Sequence, residues 1–98
     1  MTWKKAEYLV ACSDETGKYR KPVKGMTTIV DGYTVGVHKM DGVWIVTDVS
    51  TGYLMHVEYT QKEAKQWTEE NSYVFKEIFS GEKHAKVVEE VEGWNVRS

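Results

Sequence analysis

The side chains best suited to metal binding or nucleophilic catalysis are few in this chain. The histidines are His38, His56 and His84, and the only cysteine is Cys12. No two of them stand at the short spacings that zinc sites use, so the sequence predicts no bound metal ion and no cofactor. A lone cysteine cannot form an internal disulfide, and we interpret Cys12 as a small core residue.

Paired carboxylates are the other candidates for acid–base chemistry. Asp14-Glu15 falls in a predicted turn, and Glu69-Glu70 falls on the exposed part of a predicted helix. Acidic pairs in such places mainly keep the surface solvated. No glycine-rich phosphate loop and no Ser/His/Asp order is present. The sequence therefore predicts a protein without catalytic residues, which is not an enzyme.

Residues 18–24 form a basic segment that contains one aromatic side chain. Its cationic and aromatic residues are Lys18, Tyr19, Arg20, Lys21 and Lys24. Cations interleaved with aromatic rings can hold phosphates and stack on bases, so nucleic-acid binding by these residues is one hypothesis. The favoured alternative is an edge strand or loop that its lysines protect from further pairing, and Pro22 fits such a position.

The elements that hold these residues are expected to belong to one small domain, residues 1–98. A length of 98 residues, with 41% hydrophobic and 29% charged side chains, is typical of one folded globular unit. The net charge of −2 argues against a general nucleic-acid coat protein but allows a local basic patch. No apolar run reaches the length of a signal peptide or a membrane span, so we expect a cytoplasmic protein without a membrane partner.

Glycine-containing turns divide residues 1–59 into strands. Asp31-Gly32 and Asp41-Gly42 each stand between apolar runs, which is typical of a two-residue hairpin turn. Ser50-Thr51-Gly52 suits a three-residue loop with its glycine in the left-handed conformation. These turns predict a β-meander with strands at 26–30, 33–40, 43–49 and 53–59. Residues 6–12 and the stretch after Thr16-Gly17 form either a further hairpin or, alternatively, a short helix at 3–13.

Residues 60–98 have a helical pattern. Thr60 and Glu63 form a capping box that predicts the start of a helix. Asn71-Ser72 is expected to divide the helix, Gly81 to end it, and residues 82–92 to form a last helix. The expected fold is α+β, an antiparallel meander of four to six strands with two or three C-terminal helices packed on one face.

The predicted hairpin register assigns side chains to two sheet faces. The Ile45 face carries Ile45 with His38, Met40, Val43, Val49, Tyr53, Met55, Val57 and Tyr59, and we expect the helices to cover it. The Val46 face is also apolar, and it carries Val46 with Met26, Val30, Tyr33, Val35, Val37, Trp44 and Leu54. Either residues 1–20 cover the Val46 face, or another chain does.

Two sets of residues are therefore candidates for protein binding. On the Val46 face they are Trp44, Tyr33 and Leu54, because interaction surfaces combine a central aromatic side chain with apolar neighbours and a charged rim. The alternative is the acidic surface of the last helix, which carries Glu89, Glu90 and Glu92. The expected partner is a host or viral protein, or a second copy of the chain in a homodimer.

The pattern G-V-H-K-x-x-x-x-W-I-V-T-D-V-S-T-G followed by T-Q-K-E-A resembles a hairpin-to-helix junction found in small uncharacterised proteins of bacterial phages and conjugative elements. The matching residues are His38, Trp44, Val46, Thr47, Asp48, Thr51, Gly52, Thr60, Lys62, Glu63 and Ala64. The resemblance implies a small accessory protein of a mobile element that binds a host or viral macromolecule, including host defence proteins. It brings no catalytic residues.

Overall fold

The computed structural model describes residues 1–98, which form a five-stranded sheet followed by three helices. The strands are β1 (Lys4–Asp14), β2 (Gly17–Val30), β3 (Tyr33–Met40), β4 (Val43–Asp48) and β5 (Tyr53–Glu58). The helices are α1 (Gln61–Glu70), α2 (Ser72–Phe79) and α3 (Glu82–Glu92). All neighbouring strands are antiparallel, in the order β1-β2-β3-β4-β5. The predicted α+β fold with an antiparallel meander is confirmed.

The two Asp-Gly turns have the predicted hairpin geometry. Both residues of each turn have positive φ, 50° and 85° in Asp31-Gly32 and 51° and 82° in Asp41-Gly42. This backbone follows the right-handed twist of the strands on either side. The β3–β4 register is also as predicted, with Met40 opposite Val43 and His38 opposite Ile45.

The N-terminal residues form a long hairpin and not the alternative helix. β1 has 11 residues and pairs with β2, which has 14. At the turn, the backbone N–H and the hydroxyl of Thr16 both donate to Asp14 Oδ1, at 2.8 and 2.6 Å. β3 pairs with β2 only from Met26 onwards. The basic segment therefore extends beyond the central sheet, consistent with the predicted edge position of Pro22.

The β4–β5 connection is one residue longer than predicted. β4 ends at Asp48, and residues 49–52 form the turn, in which Gly52 donates its N–H to Asp48 O at 2.7 Å. Val49 therefore belongs to the turn, and Asp48 pairs with Tyr53. The predicted pairing of Val49 with Tyr53 is wrong, because the Asp48 carbonyl accepts the hydrogen bond that closes the turn.

A β-bulge in β5 compensates for the longer turn. Thr47 pairs with Leu54 instead of Met55, whereas Ile45 pairs with Val57 as predicted. Met55 is the extra residue and packs against the helices. Because the side-chain period of a strand is two, the one-residue shift moves Leu54 from the predicted Val46 face to the Ile45 face.

The helices begin and end close to the predicted residues. The Thr60 hydroxyl accepts the N–H of Glu63 at 3.1 Å and donates to its carboxylate at 2.9 Å. The capping interaction thus exists, although the carboxylate binds the hydroxyl and not the cap amide. Asn71 separates α1 from α2, since its side-chain amide donates to Trp67 O at 2.8 Å. Gly81 precedes α3 and Gly93 ends it.

The helices cover the Val46 face, so the predicted cover of the Ile45 face is wrong. The buried core joins four valines of this face to three helical side chains: Val30, Val35, Val37, Val46, Ala64, Phe75 and Phe79. The physical reason lies in the central strands. The Ile45 face carries Thr27, Gly36, His38 and Thr47 there, which offer less apolar area than the valines opposite.

The first hairpin covers part of the Ile45 face instead. The Tyr8 ring lies against Gly36, where an added Cβ would stand 2.5 Å from a ring carbon. Gly25 lies against the β3 backbone, where a side chain would collide with Val37 O. Further along β1, Ala11 donates its N–H to Gly52 O at 2.9 Å. The hairpin therefore leaves the sheet near Gly25 and reaches the β4–β5 turn.

Candidate functional site

Apolar side chains of the Ile45 face remain open to solvent beside the first hairpin. We call this surface the apolar strip, and its residues are Met40, Val43, Leu54, Val57 and Tyr59. Leu54 is 57% exposed, Val57 41% and Tyr59, which directly follows β5, 81%. An isolated exposed apolar residue is ordinary, but a contiguous group on a rigid surface indicates a binding site.

The sheet register brings the strip together across three strands. Met40 and Val43 are direct partners on β3 and β4, and Ile45 pairs with Val57 on β5. Directly opposite residues have Cβ atoms about 4.5–5.5 Å apart, so these side chains share one surface. Leu54 joins them because of the bulge. The strip is therefore held by backbone hydrogen bonds and needs little ordering to bind a partner.

The residues predicted to bind protein on the Val46 face lie in three different environments. Tyr33 is half-buried and packs edge-on against Phe79, with ring centroids 5.1 Å apart. Trp44 is half-buried beside the core, and one side of it lines an open groove. Only Leu54 belongs to the apolar strip. The sequence missed the rest of the strip because it assigned those residues to a helix-covered core.

The acidic candidates lie on the last helix, away from the sheet surface. Glu89, Glu90 and Glu92 are all exposed on α3. None of them forms a salt bridge. They remain a solvated acidic surface with no apolar centre of its own, and interfaces derive most of their binding energy from such centres.

Arg20, a member of the basic segment, is engaged within the fold. Its guanidinium donates to the carbonyl oxygens of Glu92 and Trp94, at 3.1 and 2.9 Å. A cation is favourable at this end of α3, because the last carbonyls of a helix are unpaired and carry negative partial charge. The backbone of Arg20 also pairs with Asn95 and Arg97. Arg20 therefore anchors the C-terminal residues.

The other members of the basic segment do not form one surface. Successive residues of a strand point to opposite faces, so Tyr19 and Lys21 lie on one side of β2, and Lys18 and Lys24 on the other. Lys18 lies over the Trp94 ring at 5.3 Å. Arg97 lies over the Tyr19 ring at 4.1 Å. The structure thus disperses the cations that the nucleic-acid hypothesis grouped.

A polar cluster that sequence reasoning missed joins α3 to the β4–β5 turn. His84 Nε2 lies 2.8 Å from Asp48 Oδ2 and 3.2 Å from Ser50 Oγ. The Ser50 hydroxyl donates to Asp48 Oδ1 at 2.6 Å, and the Thr51 hydroxyl donates to Oδ2 at 2.8 Å. The D-x-S-T spacing around a turn could have indicated a side-chain-capped loop.

The cluster has the residue types of a catalytic triad but a different geometry. In a triad, the carboxylate and the serine use opposite nitrogens of the imidazole, so that the ring can pass a proton between them. Here Asp48 and Ser50 both face Nε2 of His84. Asp48 is only 4% exposed, and its carboxylate receives four hydrogen bonds or close polar contacts. The arrangement holds α3 against the turn.

Two neutral polar groups are enclosed between the first hairpin and the sheet. The Tyr8 hydroxyl lies 3.3 Å from His38 Nδ1, and both residues are buried. Burial raises the pKa of Tyr8 and lowers the pKa of His38, because each charged form would lose its hydration. His38 Nε2 and Thr47 Oγ1 have no hydrogen-bond partner. Because these two buried groups are unsatisfied, this enclosed part of the Ile45 face contributes less to the stability of the fold than the valine core does.

No group of three or more His, Cys, Asp or Glu side chains is arranged to hold a metal ion. None of the three helices is long and apolar enough to cross a bilayer. The chain matches no protein-family profile, no curated protein sequence and no solved structure. The surface of the molecule itself is therefore the basis for a functional proposal.

Proposed function

We propose that this chain is a small, non-enzymatic accessory protein of a phage or mobile element that binds another protein through the apolar strip. The observation that carries the proposal is the exposure of Leu54, Val57 and Tyr59 on a rigid sheet surface. The mobile-element origin, and a host defence protein as the bound target, rest on the resemblance of the hairpin-to-helix junction. Binding would inhibit the target by occluding its surface.

The strip suits the apolar centre of an ordinary protein interface. Such interfaces bury roughly 800 Å² per partner, and a little over half of that area is apolar. Their binding energy is concentrated in a few central side chains, among which tyrosine is enriched. Tyr59 provides such a side chain at one end of the strip, with Val57 and Leu54 beside it.

The shape of the Ile45 face favours a narrow segment of a different protein over a second copy of this chain. The first hairpin rises over the face at Tyr8 and Ala11, so a second flat sheet cannot lie across it. Pairing of two β5 edges is opposed by the bulge at Met55, since bulges disrupt the edge hydrogen bonds that strand addition requires. A helix or loop with apolar side chains fits the remaining strip.

A variant of the strip tests this function directly. Replacing Leu54 and Val57 with lysine (L54K/V57K) places two charges in the centre of the strip. Because both side chains are largely exposed, the free energy of unfolding should change by less than about 1 kcal/mol. Partner binding should fall at least tenfold, as measured by calorimetry on the purified complex. The matched control is Tyr73→Lys, which adds a charge at a 74% exposed aromatic on α2.

The partner can be isolated with a photo-crosslinking amino acid at position 59 or, as control, at position 73, in cells that carry the gene. The proposal expects one protein crosslinked from position 59, absent from position 73 and lost in L54K/V57K. Light scattering of the free chain should give a monomer mass at every concentration. If the free chain forms a dimer and L54K/V57K dissociates it, the proposal of a heterologous partner is refuted. If positions 59 and 73 crosslink equally, the proposal that the apolar strip is the binding surface is refuted.

A further inference from the structure

A groove lies on the Val46 face, at the N-terminus of α1 and beside Trp44. Its volume is about 570 Å³, within the range of small-ligand sites. The four strands β1 to β4 line it together with Gln61, the first residue of α1. Met26 and Trp44 provide apolar lining. At Ala6 and Gly25, which have little or no side chain, the backbone itself forms the wall. The groove is on the opposite side of the sheet from the apolar strip.

The groove has an excess of positive charge in a chain of net charge −2. Lys5, Lys24 and Lys39 line it, each from a different strand, and Glu7 is the only carboxylate among the lining residues. None of the three ammonium groups lies within salt-bridge distance of a carboxylate. Three cations against one carboxylate give the groove a net positive charge, which attracts an anion.

Trp44 differs from the other three tryptophans in having no aromatic or cationic partner on its ring. The other three each have at least one within the fold: Trp3 has Lys65, Trp67 has His56, and Trp94 has Lys18. Trp44 packs against the core on one side and lines the groove on the other. Its ring is thus available for a planar group that enters from solvent.

We infer that this groove binds a nucleoside phosphate, with the base on the Trp44 ring and the phosphates on the three lysines. Bases stack favourably on aromatic side chains, and lysine ammonium groups bind phosphate oxygens by charge-assisted hydrogen bonds. The side-chain amide of Gln61 lies at the same groove and can both donate to and accept from a base edge. The ring and the lysines thus recognise different parts of one ligand.

The three lysines approach the groove from β1, β2 and β3. Lys5 pairs with Met26 and Lys24 pairs with Glu7 between β1 and β2, whereas Lys39 lies on β3 beyond the last β2–β3 pair, Met26 with Val37. The same chemistry is offered by a free nucleotide and by one nucleotide unit of a single strand. Only Lys24 is shared with the basic segment of residues 18–24, so the site is a different one from that segment.

Calorimetric titration of the full chain with ATP, with inorganic tripolyphosphate and with a dT10 oligonucleotide tests the inference. ATP is expected to bind and to perturb the indole resonance of Trp44 in NMR spectra. Lys24→Glu/Lys39→Glu should weaken ATP binding at least tenfold, and both residues are exposed, so the fold should be retained. The control Lys83→Glu/Lys86→Glu makes the same charge change on α3 and should leave the affinity unchanged.

Comparing the affinities of the three ligands tests stacking on Trp44 separately from the choice between a free nucleotide and a single strand. If ATP binds more tightly than tripolyphosphate and Trp44→Leu removes this difference, stacking of the base on Trp44 is supported. Equal affinity for the two ligands would overturn stacking. ATP binding equal to or tighter than dT10 binding would identify a free nucleotide as the source. Tighter binding of dT10, with a steep loss of affinity in salt, would identify a single strand. No binding of either at millimolar concentration, or equal losses in the two double variants, would overturn the site.

Discussion

The two faces of the sheet are built from the same strands but are covered very differently. On the Val46 face, helices α1 and α2 bury the valines, and Val35, Val37 and Val46 have no exposed surface. On the Ile45 face, one bent hairpin covers glycine, threonine and histidine at one part and leaves the apolar strip open at another. The comparison indicates that the Val46 face supplies most of the stability, whereas the Ile45 face presents the exposed apolar strip that we propose binds another protein.

The largest effect should come from the core of the Val46 face. Phe75 is fully buried and stacks on Phe79, with ring centroids 5.7 Å apart. Phe75→Ala should lower the free energy of unfolding by about 3–5 kcal/mol, because it removes buried apolar area and leaves a cavity. Urea denaturation measures the change. For comparison, Leu54→Ala on the strip should cost less than about 1 kcal/mol. Similar losses in the two variants would contradict the division between the faces.

Local signals in the sequence were sufficient for most of the elements. The Asp-Gly turns require positive φ, and Thr60 with Glu63 forms a capping interaction, so each depends on residues close together in the chain. The β4–β5 register was wrong because it depends on two compensating features. The extra turn residue, Val49, is offset by the bulge at Met55, and the alternation of apolar residues does not reveal either one.

The choice of cover for each face depended on contacts between distant residues, which one sequence does not display. Both faces are apolar enough to attract a cover, and the hairpin was long enough to reach either. Gly36 permits the observed arrangement, because the absence of a side chain makes room for the Tyr8 ring. The anchoring of α3 by Arg20 was missed for the same reason, since Arg20 and Glu92 are 72 residues apart in the chain.

A change of intermediate size should come from the enclosed part of the Ile45 face. Gly36→Ala places a Cβ 2.5 Å from Cζ of Tyr8, so the ring must shift from its position beside His38. We expect a loss of about 1–3 kcal/mol in the free energy of unfolding, measured by chemical denaturation. The same substitution in a Tyr8→Ala background should cost much less, because the colliding ring is absent.

Gly93→Ala is the control for this cycle. Its Cβ would meet only Glu90 O, at 3.4 Å, and its φ of −83° suits any residue. A small cost at Gly93 together with a large, Tyr8-dependent cost at Gly36 would show that the hairpin is fitted closely to the sheet. An equal cost of Gly36→Ala with and without the Tyr8 ring would mean that the hairpin does not hold the face closed.

The smallest effect should be a dependence of stability on pH that arises from His38. Burial lowers the pKa of His38 in the folded protein below its usual value of 6.5. The neutral ring therefore contributes stability that is fully present above about pH 6.5. That stability is lost as the pH falls towards the folded pKa, because the unfolded chain binds the proton first. One proton gives a slope of at most about 1.4 kcal/mol per pH unit.

Denaturation curves between pH 7 and pH 5 measure this slope. His38→Gln keeps a neutral polar side chain but cannot titrate, so the slope should become shallower. His56→Gln is the matched control, since His56 is 32% exposed and lies on the other face, stacked on Trp67. Asp14 titrates below this pH window, because hydrogen bonds from the Thr16 hydroxyl and amide, together with the nearby Arg97 guanidinium, lower its pKa. A slope that is unchanged in His38→Gln would show that burial does not lower the pKa of His38, and that the hairpin does not shield this part of the Ile45 face from water.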